Sequence, residues 1–312
     1  MERSIKKPLL IYVLLGIILI LATIFTASKG LSKNNIEIYK EALSMQSYID
    51  KLGFKGFNLS DFRVRFYDGK SDYVIYADKI EKKNAVLDIF AATSIEVNGE
   101  YQVLLPTFER FSEMFSMFNT ANLLIAESEN YQYSKADHIN TLWHEAFHTY
   151  QFTYFEGSIR KLFPNENMEE TIVENIDTNE IAVELLSESV EKLLMAYYAQ
   201  DDEETLTLIK EYFEITDKRN EIIGSELANV EDFYKTIEGS ASYIEANSYM
   251  TQNNRKMFEE MYILDFNYTN GASKYYNIGM LECFILDKLD KGWKDNYDFS
   301  KTIDDVLREK LE

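Results

Sequence analysis

Histidine, cysteine and proline are scarce in this chain of 312 residues, which holds three, one and three of them respectively. One cysteine cannot form an intrachain disulfide, so a scaffold stapled by disulfides is excluded. That cysteine, Cys283, lies in an apolar run, where we expect a buried structural thiol rather than a nucleophile. The few prolines and the hydrophobic content of 46% exclude a disordered chain and predict a folded one.

Basic residues are also too few to balance the acidic ones. The chain has 32 lysines and arginines against 53 aspartates and glutamates, for a net charge of −21 at pH 7. Nucleic acids would be repelled by such a protein, so we expect no nucleic-acid partner. The same repulsion disfavours an anionic membrane surface, and solubility is the simplest explanation of the acidity.

Charge is absent from residues 9–27, an apolar run of nineteen residues. As a helix it would span about 28 Å, roughly one bilayer core. Basic residues precede the run, which favours a cytoplasmic N-terminus and a domain outside the cell. We therefore expect residues 1–33 to form a single-pass membrane anchor and linker. Secretion after signal cleavage near residues 26–28 is the alternative.

Residues 34–312 are predicted to form one extracytoplasmic domain of the α+β class, mainly helical. Strand-like segments flank the turn signals Asp68-Gly69 and Asn98-Gly99, which predicts a small antiparallel sheet before residue 107. Helical periodicity dominates from there onwards. The main predicted helices cover residues 107–124, 134–155, 178–199, 230–250 and 275–289.

Two of the three histidines lie four residues apart in an H-E-x-x-H pattern, His144 and His148. On the helix predicted over residues 134–155 they share one face, where two imidazoles can grip one small cation. Glu145 lies next to the first histidine, where a carboxylate can take a proton from a water at the metal. The third histidine, His138, falls on another side, and we expect a surface or capping role for it.

A catalytic zinc site needs a third protein ligand, and no histidine follows His148, so a downstream carboxylate is expected. Glu238 is favoured because the small residues 239–242 after it would let its helix pass close to the motif helix. Glu180 and Glu184, which follow Asn179 at a predicted helix start, remain the alternatives, since spacing alone does not decide between them.

The chain resembles the gluzincin clan of zinc metallopeptidases, in particular bacterial H-E-x-x-H proteins with a later E-G-x-A-x-Y segment. The matching residues are Trp143-His144-Glu145-Ala146-Phe147-His148-Thr149-Tyr150-Gln151, Glu238-Gly239-Ser240-Ala241-Ser242-Tyr243, Tyr276-Asn277-Ile278-Gly279, Leu286-Asp287 and Gly292-Trp293. The resemblance implies a zincin-like fold, one Zn²⁺ ion, two histidine ligands, a glutamate ligand and a glutamate base. The gap of about ninety residues between His148 and Glu238 departs from thermolysin and leaves the third ligand open.

These features together predict a membrane-anchored zinc metallopeptidase acting on a peptide or protein substrate. Tyr243, Tyr275 and Tyr276 are candidate donors to the oxyanion that forms during hydrolysis. Two alternatives remain open: a catalytically inactive binding or assembly protein with a zincin fold, and a zinc hydrolase of a non-peptide bond.

Overall fold

The computed structural model of the protein describes residues 30–77, 79–120, 133–164, 177–252, 258–259, 263 and 271–312. These residues form mainly helices together with a five-stranded sheet, which confirms the α+β, mainly helical class. No helix among them combines the length and apolar character that crossing a membrane requires. The predicted anchor, residues 9–27, lies outside the described residues.

The sheet precedes the motif helix, as predicted, with strand order β3-β2-β1-β5-β4. Its strands are β1 (Val64–Tyr67), β2 (Ser71–Tyr76), β3 (Lys79–Asn84), β4 (Thr93–Val97) and β5 (Glu100–Pro106). Both predicted hairpins are confirmed, since β1 pairs antiparallel with β2 and β4 antiparallel with β5. The sheet is mixed rather than wholly antiparallel, because the chain crosses from β3 to the opposite edge and β5 then returns parallel to β1.

The other main elements of the described residues are helices. They are α1 (Lys33–Ser44), α2 (Gln46–Ile49), α3 (Phe108–Thr120), α4 (Lys135–Leu162), α5 (Glu180–Tyr198), α6 (Asp202–Ile223), α7 (Ser225–Thr251), α8 (Ser273–Leu289) and α9 (Ile303–Arg308).

Helix α4 carries the H-E-x-x-H pattern and begins with a reciprocal capping box. The Ser134 hydroxyl accepts from the backbone N–H of Asp137, and the Asp137 carboxylate accepts from the backbone N–H of Ser134 at 2.7 Å. Both interactions satisfy N–H groups that a helix start leaves free. The buried side of α4 carries Trp143 and Phe147, which pack edge to face against Phe57. This packing holds the motif helix firmly in the core.

Helix α7 lies between α4 and α8 and approaches α8 very closely. A Cβ on Gly239 would come 2.6 Å from the Cα of Gly279, and one on Gly279 would come 2.0 Å from the Lys235 carbonyl oxygen. The prediction that the small run faces the motif helix is thus wrong for Gly239, which faces α8. Ser240, one residue on, faces α4 and hydrogen-bonds to Gln151 there.

His138 is fully buried, so the prediction of a surface or capping histidine is wrong. Its Nδ1 lies 3.1 Å from the Tyr133 hydroxyl, and its ring stacks on Phe66 from the sheet. Burial lowers the pKa of His138 to about 3, so the ring is neutral and acts as a core aromatic group. The prediction for Cys283 is confirmed, since this thiol is free and completely buried.

Candidate metal centre

Helices α4 and α7 bring His144, His148 and Glu238 together at one point. The two histidine Nε2 atoms are 3.0 Å apart, and Glu238 Oε2 lies 3.4 Å from His144 Nε2 and 3.1 Å from His148 Nε2. All three side chains are largely screened from solvent. Of the three carboxylates considered from the sequence, Glu238 is the one that reaches the histidines.

The spacing of these three atoms fits a tetrahedral metal ion. Ligands about 2.0–2.1 Å from a tetrahedral zinc lie roughly 3.3 Å from one another, close to the separations of the nitrogen and oxygen atoms here. Two imidazole nitrogens and one carboxylate oxygen are a donor set typical of zinc. Three protein ligands leave the fourth tetrahedral position open, which is the arrangement of catalytic rather than structural zinc sites.

Glu245 orients the first histidine. Its Oε2 lies 3.0 Å from His144 Nδ1, so the carboxylate accepts the Nδ1–H hydrogen bond. With the proton held on Nδ1, the lone pair of Nε2 points towards Glu238 and His148. In many metal sites a carboxylate accepts the hydrogen bond from the other ring nitrogen of a ligating imidazole, which raises the basicity of the ligating nitrogen.

Gln151 orients the second histidine through its amide. The amide Nε2 donates to the Ile237 carbonyl at 3.0 Å and to the Ser240 hydroxyl at 2.9 Å. These two acceptors set the direction of the amide, so its Oε1 must face His148 Nδ1, 2.8 Å away. His148 therefore also donates from Nδ1 and keeps Nε2 free as a ligand atom.

The electrostatics of the three groups favour protonated imidazoles beside an ionised Glu238, so a bound metal ion would replace the proton at each Nε2. Burial alone would lower the pKa values of His144 and His148, but the carboxylate of Glu238 raises both above the usual histidine value. Burial would raise the pKa of Glu238, but His148 and His144 lower it well below the usual glutamate range. Glu238 is therefore an anion, the state in which a carboxylate binds a cation.

Glu145 lies beside these three side chains, close enough to interact electrostatically with both histidines. Only 8% of the residue is exposed, and no described residue donates a hydrogen bond to its carboxylate. Burial raises the pKa of Glu145, against the lowering influence of the two histidines. A buried carboxylate without a protein partner is available to a water molecule or a substrate at the open position.

The other predicted ligands lie elsewhere. Glu180 and Glu184 are exposed on α5, where they line a surface depression with Asp177 and Glu188. Neither belongs to the group that α4 and α7 bring together among the described residues.

The three candidate tyrosines have different surroundings. The hydroxyl of Tyr243 donates to Asp287 at 2.5 Å and accepts from Lys294 at 3.0 Å, and that of Tyr275 donates to Glu231. Both hydroxyls are thus engaged in buried polar networks. Tyr276 is half-buried and stacks on Tyr234, which lies one helical turn before the Glu238 position. A catalytic role for any of the three stays a prediction.

Sequence reasoning assigned no role to two residues that hold the histidines, Glu245 and Gln151. A signal was present for Glu245, which follows Glu238 by seven residues, or two helical turns, and so shares its face of α7. Gln151 follows His148 by three residues, but its role depends on hydrogen-bond acceptors on α7. No local sequence pattern predicts those contacts.

Comparisons of the chain with protein-family models, with curated proteins and with solved structures find no match. The resemblance to the gluzincin clan therefore stays a prediction from the sequence, and the site is interpreted from its own geometry.

Proposed function

We propose that the protein is a zinc-dependent hydrolase that cleaves peptide bonds. The observation that carries this proposal is the convergence of His144, His148 and Glu238 at 3.0–3.4 Å. Beside them lies the carboxylate of Glu145, to which no described residue donates a hydrogen bond. Both imidazoles donate from Nδ1 to fixed acceptors, so their free nitrogens are aimed in advance. A core packing role would not require this alignment.

Glu145, Glu245 and Gln151 have different roles in the proposed hydrolysis. A zinc ion in this site, when bound, supplies a Lewis acid that polarises the scissile carbonyl and makes a neighbouring water more acidic. Glu145 accepts the proton of the attacking water and passes it to the departing amide nitrogen. Glu245 and Gln151 hold the imidazoles in place throughout.

The position of β4 supports a peptide rather than a small ester as the substrate. β4 is an edge strand of the sheet and lies along α4, with Ser94 Oγ 2.9 Å from Thr149 Oγ1. Thr149 in turn donates to the carbonyl of Glu145 at 3.0 Å, which ties this edge to the motif helix. An extended peptide can pair with an edge strand through its backbone and so be held along the site.

Substitution of Glu145 tests the proposal. We expect Glu145→Gln to retain zinc, because no ligand is lost, and to reduce cleavage at least about 100-fold, because the proton acceptor is gone. The measurement is hydrolysis of a quenched-fluorescence peptide library by the full zinc-loaded chain, with zinc content determined alongside. Glu184→Gln, an exposed change on α5, is the matched control and should leave both unchanged.

Cleavage by Glu145→Gln at the rate of the unaltered chain would contradict the role of Glu145 as proton acceptor. Zinc binding by the unaltered chain without cleavage of any library peptide would contradict the peptidase proposal. That result would favour the alternative of a binding protein that retains the metal.

A further inference from the structure

The segment that joins β3 to β4 crosses one end of the sheet. β3 and β4 are its two edge strands, so residues 85–92 must pass from one edge to the other. They do so at the end where β1 and β5 finish, since Tyr67 lies opposite Pro106 there and Asn84 of β3 pairs with Ser71. Four strand spacings are about 19 Å, which eight extended residues can span.

Apolar side chains point outwards from this crossover. Phe90 is 59% exposed, Leu87 49% and Val86 38%. Ile89 between them is buried and packs with Tyr67 and Leu104 of the sheet. The crossover is therefore seated on the sheet by one side chain and presents three others to the surroundings. Such a cluster on a soluble domain marks a contact surface.

The charged side chain of the crossover, that of Asp88, is paired with the protein although it is 70% exposed. The Asp88 carboxylate accepts from the Tyr67 hydroxyl at 2.7 Å and from Arg110 at 3.4 Å. The Arg110 guanidinium also lies 5.6 Å from the centre of the Phe90 ring. These contacts hold the segment in one shape, with Asp88 paired to Tyr67 and Arg110 next to the exposed apolar side chains.

The chain enters the fold at the same end of the sheet. The Ser32 hydroxyl donates to Glu109 Oε1 at 2.8 Å, and Asn35 Nδ2 donates to Glu109 Oε2 at 2.7 Å. Glu109 precedes Arg110, the residue that contacts Phe90. The apolar run of residues 9–27 ends five residues before Ser32, so the two are separated by at most about 17 Å of extended chain.

Positive charge also lies beside the crossover. Every residue of β3 is exposed, and the strand carries Lys79, Lys82 and Lys83 against the single acid Glu81. This local excess of base stands out in a chain whose net charge is −21. Lysines next to exposed aromatic and aliphatic side chains suit the headgroup region of an anionic bilayer.

We propose that Val86, Leu87 and Phe90 insert into the lipid bilayer beside the predicted anchor, so that the domain rests on the membrane by this end of its sheet. This inference goes beyond the zinc chemistry and does not depend on it. It rests instead on the predicted anchor, residues 9–27, which brings this end of the sheet to the membrane. With two attachments, a tether and an inserted crossover, the domain takes one orientation at the surface.

Tryptophan reporters test the contact in the full chain. Phe90→Trp is reconstituted into vesicles of phosphatidylcholine and phosphatidylglycerol, with or without brominated acyl chains, which quench tryptophan on contact. We expect its added emission to shift to the blue and to be largely lost in the brominated vesicles. Ile181→Trp on α5, where Ile181 is 60% exposed, is the matched control and should keep its emission. The native tryptophans are buried and set the baseline.

The pattern of quenching and flotation distinguishes an inserted crossover from attachment by the predicted anchor alone. Quenching at position 90 but not at 181 supports the proposal, and Leu87→Trp provides a second reporter should Phe90→Trp lose its native circular dichroism. Protein that floats with the vesicles without quenching at 87 or 90 contradicts the inserted crossover while leaving the anchor intact. Protein that fails to float with vesicles contradicts both, and equal quenching at 90 and 181 contradicts a fixed orientation.

Discussion

At the scale of single residues, the candidate site depends on which nitrogen of each histidine is free. His144 and His148 both donate from Nδ1, the first to a carboxylate and the second to an amide. A carboxylate increases the basicity of the imidazole more than an amide does, so we expect His144 to bind a metal more strongly than His148 does. Loss of the Glu245 side chain should therefore weaken metal binding more than loss of the Gln151 side chain.

We expect Glu245→Ala to weaken zinc binding about 10- to 100-fold, the usual effect of losing an outer partner of a ligating histidine. Glu245→Gln should lose much less, because its amide oxygen still accepts from His144 Nδ1. Competition titration against a chromophoric chelator measures both. Unchanged affinity in the alanine variant would mean that Glu245 does not position the ring, and equal losses in both variants would point to general damage of the fold.

The sequence predicted that His144 and His148 lie together, because their spacing follows helix geometry. It favoured Glu238 because of the small residues after it, although Gly239 turns out to face α8 rather than the motif helix. It did not predict the burial of His138, since the aromatic rings around that histidine come from the sheet and from α3. The roles of Glu245 and Gln151 also depend on contacts between α4 and α7. Interactions across distant parts of the chain leave little trace in local sequence patterns.

At the scale of elements, the crossing of α7 and α8 places Glu238 at the histidines. Gly239 and Gly279 form the contact, and a side chain at either position would collide with backbone rather than with a flexible side-chain end. Lys235, whose carbonyl oxygen faces Gly279, lies one turn before Glu238 on α7. A shift of α7 at this crossing would therefore move Glu238 as well.

We expect Gly279→Ala to destabilise the protein by about 1–3 kcal/mol, as overpacking does, and to weaken zinc binding in parallel. Gly157→Ala is the matched control, because Gly157 lies on α4 with nothing within 4 Å of an added Cβ. This second change should stabilise the protein by up to about 1 kcal/mol through helix propensity. Urea denaturation measures both, and equal effects of the two substitutions would contradict the close crossing.

Sequence patterns predicted the hairpins and the motif helix but missed β3 and the parallel pairing of β1 with β5. All six residues of β3 are exposed, so the strand lacks the alternation that identifies a half-buried strand. The parallel pair follows from the path of residues 85–92 across the sheet, which Ile89 stabilises by packing on Tyr67. Short-range signals do not specify such a path.

At the scale of the whole molecule, the candidate ligands join two parts of the chain about ninety residues apart. His144 and His148 lie on α4, and Glu238 lies on α7. A metal bound between these helices stabilises the folded state, because the unfolded chain does not hold the three groups together. Stability and metal content should therefore be linked across the entire domain.

We expect a chelator to lower the thermal unfolding midpoint of the zinc-loaded chain. A ligand at 1,000 times its dissociation constant contributes about 4 kcal/mol to the free energy of unfolding. The same treatment should leave Glu238→Ala nearly unchanged, since that variant lacks a complete site. Differential scanning calorimetry measures both, and an equal fall in the two proteins would show that the chelator acts at some other place.

We propose that His144, His148 and Glu238 hold one zinc ion. Anomalous diffraction at the zinc edge, from crystals of the chain grown with one equivalent of zinc, would locate that ion. We expect a single strong peak about 2.0–2.2 Å from the Nε2 atoms of His144 and His148 and from a carboxylate oxygen of Glu238. A peak beside Glu180 and Glu184 instead, or none between α4 and α7, would contradict it.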